Sequence, residues 1–169
     1  MGSNIDLEQA VTESFVAFRN PIYRYIIATV GNSGDAEDLT QEVFIRFARE
    51  LQKGAEIRNL RAWLFHVAHN LTIDFGRRSP APDSLDEPAR QALRDRMTDP
   101  NPSAEQHVVD QDWRNHVLSR LTANERRCLE MRAEGLRYRE IAEALEIRIP
   151  TVQSTLKRAI RKLRSDGDD

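Results

Sequence analysis

Apolar residues recur along this chain at helical spacing. The first stripe is Leu7, Ala10, Val11, Phe15 and Phe18. Asn20 and Pro21 then predict a break: Asn caps helices well, and Pro suits a first helical turn. A second helix follows with Ile22, Tyr25, Ile26 and Val30, closed by Gly31. Asp35 opens a third, whose core stripe is Leu39, Val43, Phe47 and Leu51. Asn59 caps a fourth, from Leu60 to about Phe75, with Leu60, Leu64, Val67 and Leu71 inward. Ser79 to Pro102 loses the periodicity; Pro80, Pro82, Pro88, Pro100 and Pro102 mark it as a linker with an acidic tone. Ser103 to Gln106 and Thr122 to Glu125 have the form of capping boxes. The first begins a helix with Val109, Trp113, Val117, Leu118 and Leu121; the second begins one that Gly135 ends. The expected fold is all-α: a four-helix domain over residues 5–78, a tether over 79–102 and a smaller helical domain over 103–165.

The last of these segments carries the most chemistry. In LRYREIAEALEIRIPTVQSTLKRAIRKLR, Ile141, Ala142 and Leu145 share one face of a short helix. Glu146, Ile147 and Arg148 interrupt it, and a longer helix starts near Pro150 with Val152, Leu156, Ile160 and Leu163 inward. Its other face holds Gln153, Lys157, Arg158, Arg161, Lys162 and Arg164. Two helices with a short turn, the second basic, are the layout of a helix-turn-helix. A helical hairpin with a solvated basic face has the same pattern, although it rarely places its cations so one-sidedly.

Composition narrows the choices. With 169 residues, 40% hydrophobic and 31% charged, the chain suits one or two small globular domains. No apolar run is long enough to span a bilayer, so no membrane insertion is expected, and there is no signal-peptide pattern. The single cysteine, Cys128, excludes an internal disulfide and fits a reducing cytoplasm. The net charge of −2 is unusual for an autonomous DNA binder, since the cations are local and offset elsewhere. His66 and His69 lie three apart but have no matched ligands, and no phosphate loop or nucleophile motif is present. No cofactor, metal site or catalytic residue is expected.

Two further faces stand out. Asp38, Gln41, Glu42, Ile45 and Arg49 form a mixed acidic and apolar strip, which suits either a basic partner helix or an ordinary surface. Trp63, His66 and Asn70 share a stripe that ends near Arg77 and Arg78. Such a face can stack on unpaired bases and hold phosphates, or Trp63 can simply fill the core.

Taken in order, these segments resemble bacterial RNA polymerase sigma factors of the extracytoplasmic-function class, from about Leu7 to Arg164. DAEDLTQEVFIRF resembles their region 2.2, RAWLFHVAHNLTIDFGRR their regions 2.3 and 2.4, and LTANERRCLEMRAEGLRYREIAEALEIRIPTVQSTLKRAIRKLR their region 4. The resemblance implies a non-enzymatic specificity subunit with core RNA polymerase and promoter DNA as partners. It places Asp38, Leu39, Gln41, Glu42 and Ile45 on the beta-prime clamp helices, and region 4 near the beta flap. It places Trp63, His66, Asn70, Arg77 and Arg78 at the minus-ten element, with Asn70 capturing a flipped base. Thr151, Gln153, Ser154, Lys157, Arg158 and Arg161 would contact the minus-thirty-five element. Arg158, Arg161 and Lys162 are expected on phosphate or partner protein. An anti-sigma factor is a further implied partner. Departures from the family pattern fall at Arg137, Glu146, Arg148, Gln153 and Thr155. They predict a poorly capped first helix, a slightly strained turn and an unusual minus-thirty-five contact.

Overall fold

The computed structural model describes residues 2–79 and 119–165, and the described residues hold six helices and no strand. These are α1 (Gly2–Val30), α2 (Ser33–Gln52), α3 (Leu60–Arg78), α4 (Ala123–Ala133), α5 (Tyr138–Leu145) and α6 (Ile149–Ser165). The linker from residue 80, the capping box at Ser103 and the Trp113 helix lie outside the described residues.

The N-terminal unit has three helices where the sequence pattern predicts four. Asn20 and Pro21 do not break the chain; Pro21 sits inside one continuous helix. An interior Pro removes a backbone hydrogen bond and costs about 3 kcal/mol. Packing on both sides opposes that cost. Ile22, Tyr25, Ile26 and Ile27 are fully buried beyond Pro21, and Val11 and Phe18 pack on the same core before it. Gly31, with φ 75°, then turns the chain. The cap of α2 is Asn32 rather than Asp35: its side chain accepts the Asp35 N–H at 3.0 Å. Asn59 caps α3 as predicted, accepting from the Ala62 N–H at 3.0 Å. In α2, Val43, Phe44 and Phe47 are buried, while Leu39 and Leu51 pack at the margin.

In the C-terminal unit the capping box at Thr122 is complete. Glu125 N–H reaches Thr122 Oγ1 at 3.3 Å, and Thr122 N–H reaches Glu125 Oε2 at 2.9 Å. Gly135, with φ 86°, ends the α4 segment and directs the chain into α5. Arg137 at the start of α5 supplies no side-chain cap; Glu140 alone answers, accepting the Arg137 N–H at 2.8 Å. Glu146, with φ 54°, makes the turn of the helix-turn-helix. It is the one non-glycine residue with positive φ among the described residues. Val152, Thr155, Leu156 and Ala159 form the buried face of α6. Ile160, expected inward, is 41% exposed. The inward face follows positions 152, 155, 156 and 159, and Ile160 falls just past its edge.

The two units share one core. Cys128, Met131, Leu136, Ile141, Ala142, Ala144, Val152 and Leu156 join the same buried cluster as Tyr25, Leu64 and Phe65. Burial raises the Cys128 thiol to about 11, so it is an inert packing group. The main seam runs between α3 and α5.

Candidate nucleic-acid interface

Asp38, Gln41 and Ile45 lie exposed along one side of α2, Ile45 at 45%. Glu42, half-buried, accepts from Arg46 Nε one turn on at 2.9 Å. Leu39 points the other way, toward the core, and so presents little surface. Four of the five residues that the resemblance assigns to polymerase docking therefore share a solvent-facing ridge, and Leu39 packs beneath it.

On α3, Trp63 is half-buried, with its ring 5.9 Å from Phe47. It is a core residue with one accessible edge. His66 is half-buried and Asn70 exposed. Arg77 and Arg78 extend from the last turn, and Arg77 lies 3.9 Å from Asp74. Cations there also complement the negative end of the helix dipole.

The structure places α5 directly against this face. His66 Nδ1 lies 2.9 Å from the Ala144 carbonyl oxygen, and its Nε2 lies 3.0 Å from Asn70 Nδ2. A carbonyl can only accept, so Nδ1 carries the hydrogen, and Nε2 is left to accept from Asn70. Nearby, Asn59 Nδ2 donates to Glu140 Oε1 at 3.3 Å, and Arg61 Nη1 donates to the Gly135 carbonyl at 3.4 Å. Arg24 of α1 holds Glu134 through Nη2 at 2.8 Å. None of these cross-unit bonds is legible in the sequence, because they join residues some 74 to 110 positions apart.

His69, one turn from Phe65, is buried under α1, and its Nδ1 lies 3.1 Å from the Tyr25 hydroxyl. Burial lowers its pKa to about 4, with help from Arg127 and His66. It is a neutral core residue. No group of His, Cys, Asp and Glu suited to a metal occurs among the described residues.

On α6, Thr151, Gln153, Ser154, Lys157, Arg158 and Arg161 are all exposed. Ser154 donates to the Thr151 carbonyl at 3.0 Å. Lys162 is different: its Nζ donates to Glu125 Oε2 at 2.7 Å and to the Arg120 carbonyl at 3.3 Å. It holds α6 to α4 while 40% of its side chain stays exposed. Glu125 is 3% exposed, and the Lys162 hydrogen bond holds its carboxyl below the usual range. The capping box is the signal that identifies Glu125, but the pattern gives no hint of its second partner.

Comparison with known proteins matches both units to one group. The family profile "Sigma-70 region 2" matches residues 14–79, and "Sigma-70, region 4" matches residues 115–163. The chain is 34% identical over 155 residues to the ECF RNA polymerase sigma factor SigE of Mycolicibacterium smegmatis. That match covers 85% of this chain but spans only 56% of the relative. It is 29% identical over 145 residues to the ECF sigma factor SigL of Mycobacterium tuberculosis, with 85% and 80% covered. Among solved structures it resembles CnrH in complex with the cytosolic domain of CnrY, at TM-score 0.69 and 18% identity, covering 95% and 89% of the two chains. It also resembles the sigma factor RpoE bound to the anti-sigma factor NepR from Bartonella quintana, at TM-score 0.65 and 21% identity, covering 93% and 96%.

Proposed function

Because the chain belongs to the sigma-70 family, in its ECF branch, we propose that it binds core RNA polymerase and directs initiation at a particular set of promoters. The observation that carries this reading is the pairing of an acidic and apolar ridge on α2 with an exposed basic recognition helix, α6, on one chain. It acts as a non-enzymatic subunit in the cytoplasm, beside polymerase, and no described helix is long and apolar enough to cross a membrane.

The roles divide by face. Asp38, Gln41, Glu42 and Ile45 dock on the clamp helices of the beta-prime subunit, with Leu39 setting their height. An apolar Ile45 one turn from Gln41 and Glu42, with Asp38 further along the ridge, suits a basic, amphipathic partner helix. Asn70 takes a flipped minus-ten base, Trp63 and His66 wall it, and Arg77 and Arg78 hold the displaced strand's phosphates. In α6, Gln153 offers both an amide donor and an acceptor to adenine, and Ser154 and Lys157 flank it. Thr151, Arg158 and Arg161 hold phosphates. The second unit lies near the beta flap, so that the two faces meet separate promoter segments.

The closed arrangement cannot serve the minus-ten DNA as it stands, since α5 covers the His66 side of α3, while α6 stays exposed. Polymerase must draw the units apart, and an anti-sigma factor is the partner that keeps them together. The test is gel filtration with core polymerase, then transcription from promoters selected with the holoenzyme. Asp38→Lys with Gln41→Lys abolishes co-elution. A chain that ignores polymerase yet grips duplex DNA tightly is a simple helix-turn-helix regulator, and the proposal falls.

A further inference from the structure

Arg158 stands at the solvent edge of α6, its side chain 59% exposed. Exposed arginines sample many rotamers, and ordering one on a ligand costs up to about 2 kcal/mol. Here two buried groups sit under its guanidinium. Its Nη2 donates to Thr155 Oγ1 at 3.4 Å, and Thr155 is 3% exposed. Its Nε faces Glu125 Oε1 at 3.9 Å, from a carboxylate 4% exposed. The other carboxylate oxygen is saturated by Lys162 Nζ and the Thr122 N–H. Glu125 therefore cannot swing away to follow Arg158; the arginine must come to it.

A capping glutamate normally needs no burial, and a buried one incurs a desolvation cost that partners must offset. Lys162 supplies most of that, and its hydrogen bond holds the Glu125 carboxyl below the ordinary carboxylate range. The fixed Oε1 then faces one direction only, along the root of Arg158. With Nη2 bonded to Thr155 and Nε 3.9 Å from the Glu125 carboxylate, Nη1 is left for a partner outside the helix pair. A planar fork held this way is pre-organised for a phosphate oxygen.

We propose that Glu125 and Thr155 are positioning residues for Arg158, pre-setting its guanidinium to receive a DNA phosphate. This rests on the reading of α6 as the helix that meets promoter DNA. Neither residue touches DNA; both act through the arginine.

The test is a double-mutant cycle on the full chain with a mixed-sequence DNA duplex, titrated by fluorescence anisotropy over a range of salt. A phosphate contact is independent of sequence, so no promoter is needed. Arg158→Ala lowers the slope of log affinity against log salt by about 0.9. Glu125→Gln keeps the capping hydrogen bond and Thr155→Val keeps the shape. Each weakens binding, by at most about thirtyfold, the ordering cost of one long side chain. In the Arg158→Ala background neither has any further effect. A purely structural contribution would persist in that background, and its persistence overturns the proposal. So does a gain in affinity in Glu125→Gln, which would mark Glu125 as mere repulsion of the phosphates. If Arg158→Ala itself leaves binding and slope unchanged, α6 is not the DNA face and the underlying reading fails with it.

Discussion

Arg24 and Glu134, 110 positions apart, form a clamp across the two units: Nε reaches Oε1 at 3.1 Å and Oε2 at 3.2 Å, and Nη2 reaches Oε2 at 2.8 Å. Glu134 is the buried partner, with 3% of its side chain exposed against 32% for Arg24. A surface pair of this kind contributes little, but here the carboxylate has lost its water.

The clamp predicts a specific response to charge reversal. Arg24→Glu places two carboxylates together in the seam, and the units separate while each keeps its own helices. Adding Glu134→Arg restores closure. Spin labels at Gln52 and Arg164, both at exposed sites, read the distance: it lengthens and broadens in the single variant and returns in the double. The magnitude for the closed state is about 1–3 kcal/mol, that of leaving one buried polar partner unsatisfied. An unchanged distance in Arg24→Glu means that the shared apolar core alone holds the units.

A second prediction concerns the chain of contacts from Ala144 through His66 to Asn70. While His66 Nε2 engages the Asn70 amide, the side chain proposed to take a base is occupied. His66→Ala removes both that bond and the bond to α5. Binding of a single-stranded oligonucleotide by the chain without polymerase then rises several-fold, as one or two hydrogen bonds of about 1 kcal/mol each are relieved. Asn70→Ala in the same background cancels the gain. Equal binding by the parent chain and His66→Ala would show that closure does not limit access.

Acid weakens the fold through His69. Its pKa is about 4 in the folded chain against 6.5 when unfolded, because burial disfavours the charged ring. The unfolded chain therefore binds more protons between these values, and stability is fully present above pH 6.5. It falls as the pH drops through that window, by about 2 kcal/mol at pH 5 from this group. Urea unfolding at pH 7.5 and pH 5 measures it, and His69→Gln flattens the difference by that amount. Glu125 acts further into acid. Its carboxyl is held below the ordinary value by Lys162, so its contribution is present above the unfolded pKa of 4.5 and is lost as the pH falls through the folded one.

What the sequence discloses and what it hides follows the range of the interactions. Asn59, Thr122 with Glu125, and Gly135 are legible because a cap is satisfied within four residues, and all three occur where the pattern places them. Asn20 and Pro21 mislead, because the local cost of an interior Pro is outweighed by Tyr25, Ile26 and Ile27 in a core assembled from distant helices. The exposed residues of α2 and α6 are legible too, since helical spacing alone sets a face. Lys162 and Ile160 are the exceptions: Lys162 is drawn to Glu125 of α4, and Ile160 falls just past the edge of the buried face. The seam itself leaves no trace in the pattern: nothing in the sequence pairs Arg24, Asn59, Arg61 or His66 with α4 and α5.

Glu146 gives the last prediction. It holds φ 54° and ψ 41° in the turn between α5 and α6, a left-handed conformation that costs a side-chain-bearing residue about 1–2 kcal/mol. The turn is fixed by what surrounds it. Ile147 N–H bonds back to the Ala142 carbonyl at 3.0 Å, and Glu146 N–H to Glu143 at 3.3 Å. The chain thus keeps the geometry that suits glycine without the glycine. Glu146→Gly relieves the strain but gains freedom in the unfolded chain, worth about 0.5–1 kcal/mol in the other direction. The net gain is about 0.5 kcal/mol, read as a small rise in the urea midpoint with unchanged slope. Glu146→Val goes the other way, because a β-branched side chain crowds the left-handed region more than Glu does. If Glu146→Gly destabilises the protein, the glutamate side chain supports the turn in a way that its backbone angles do not reveal.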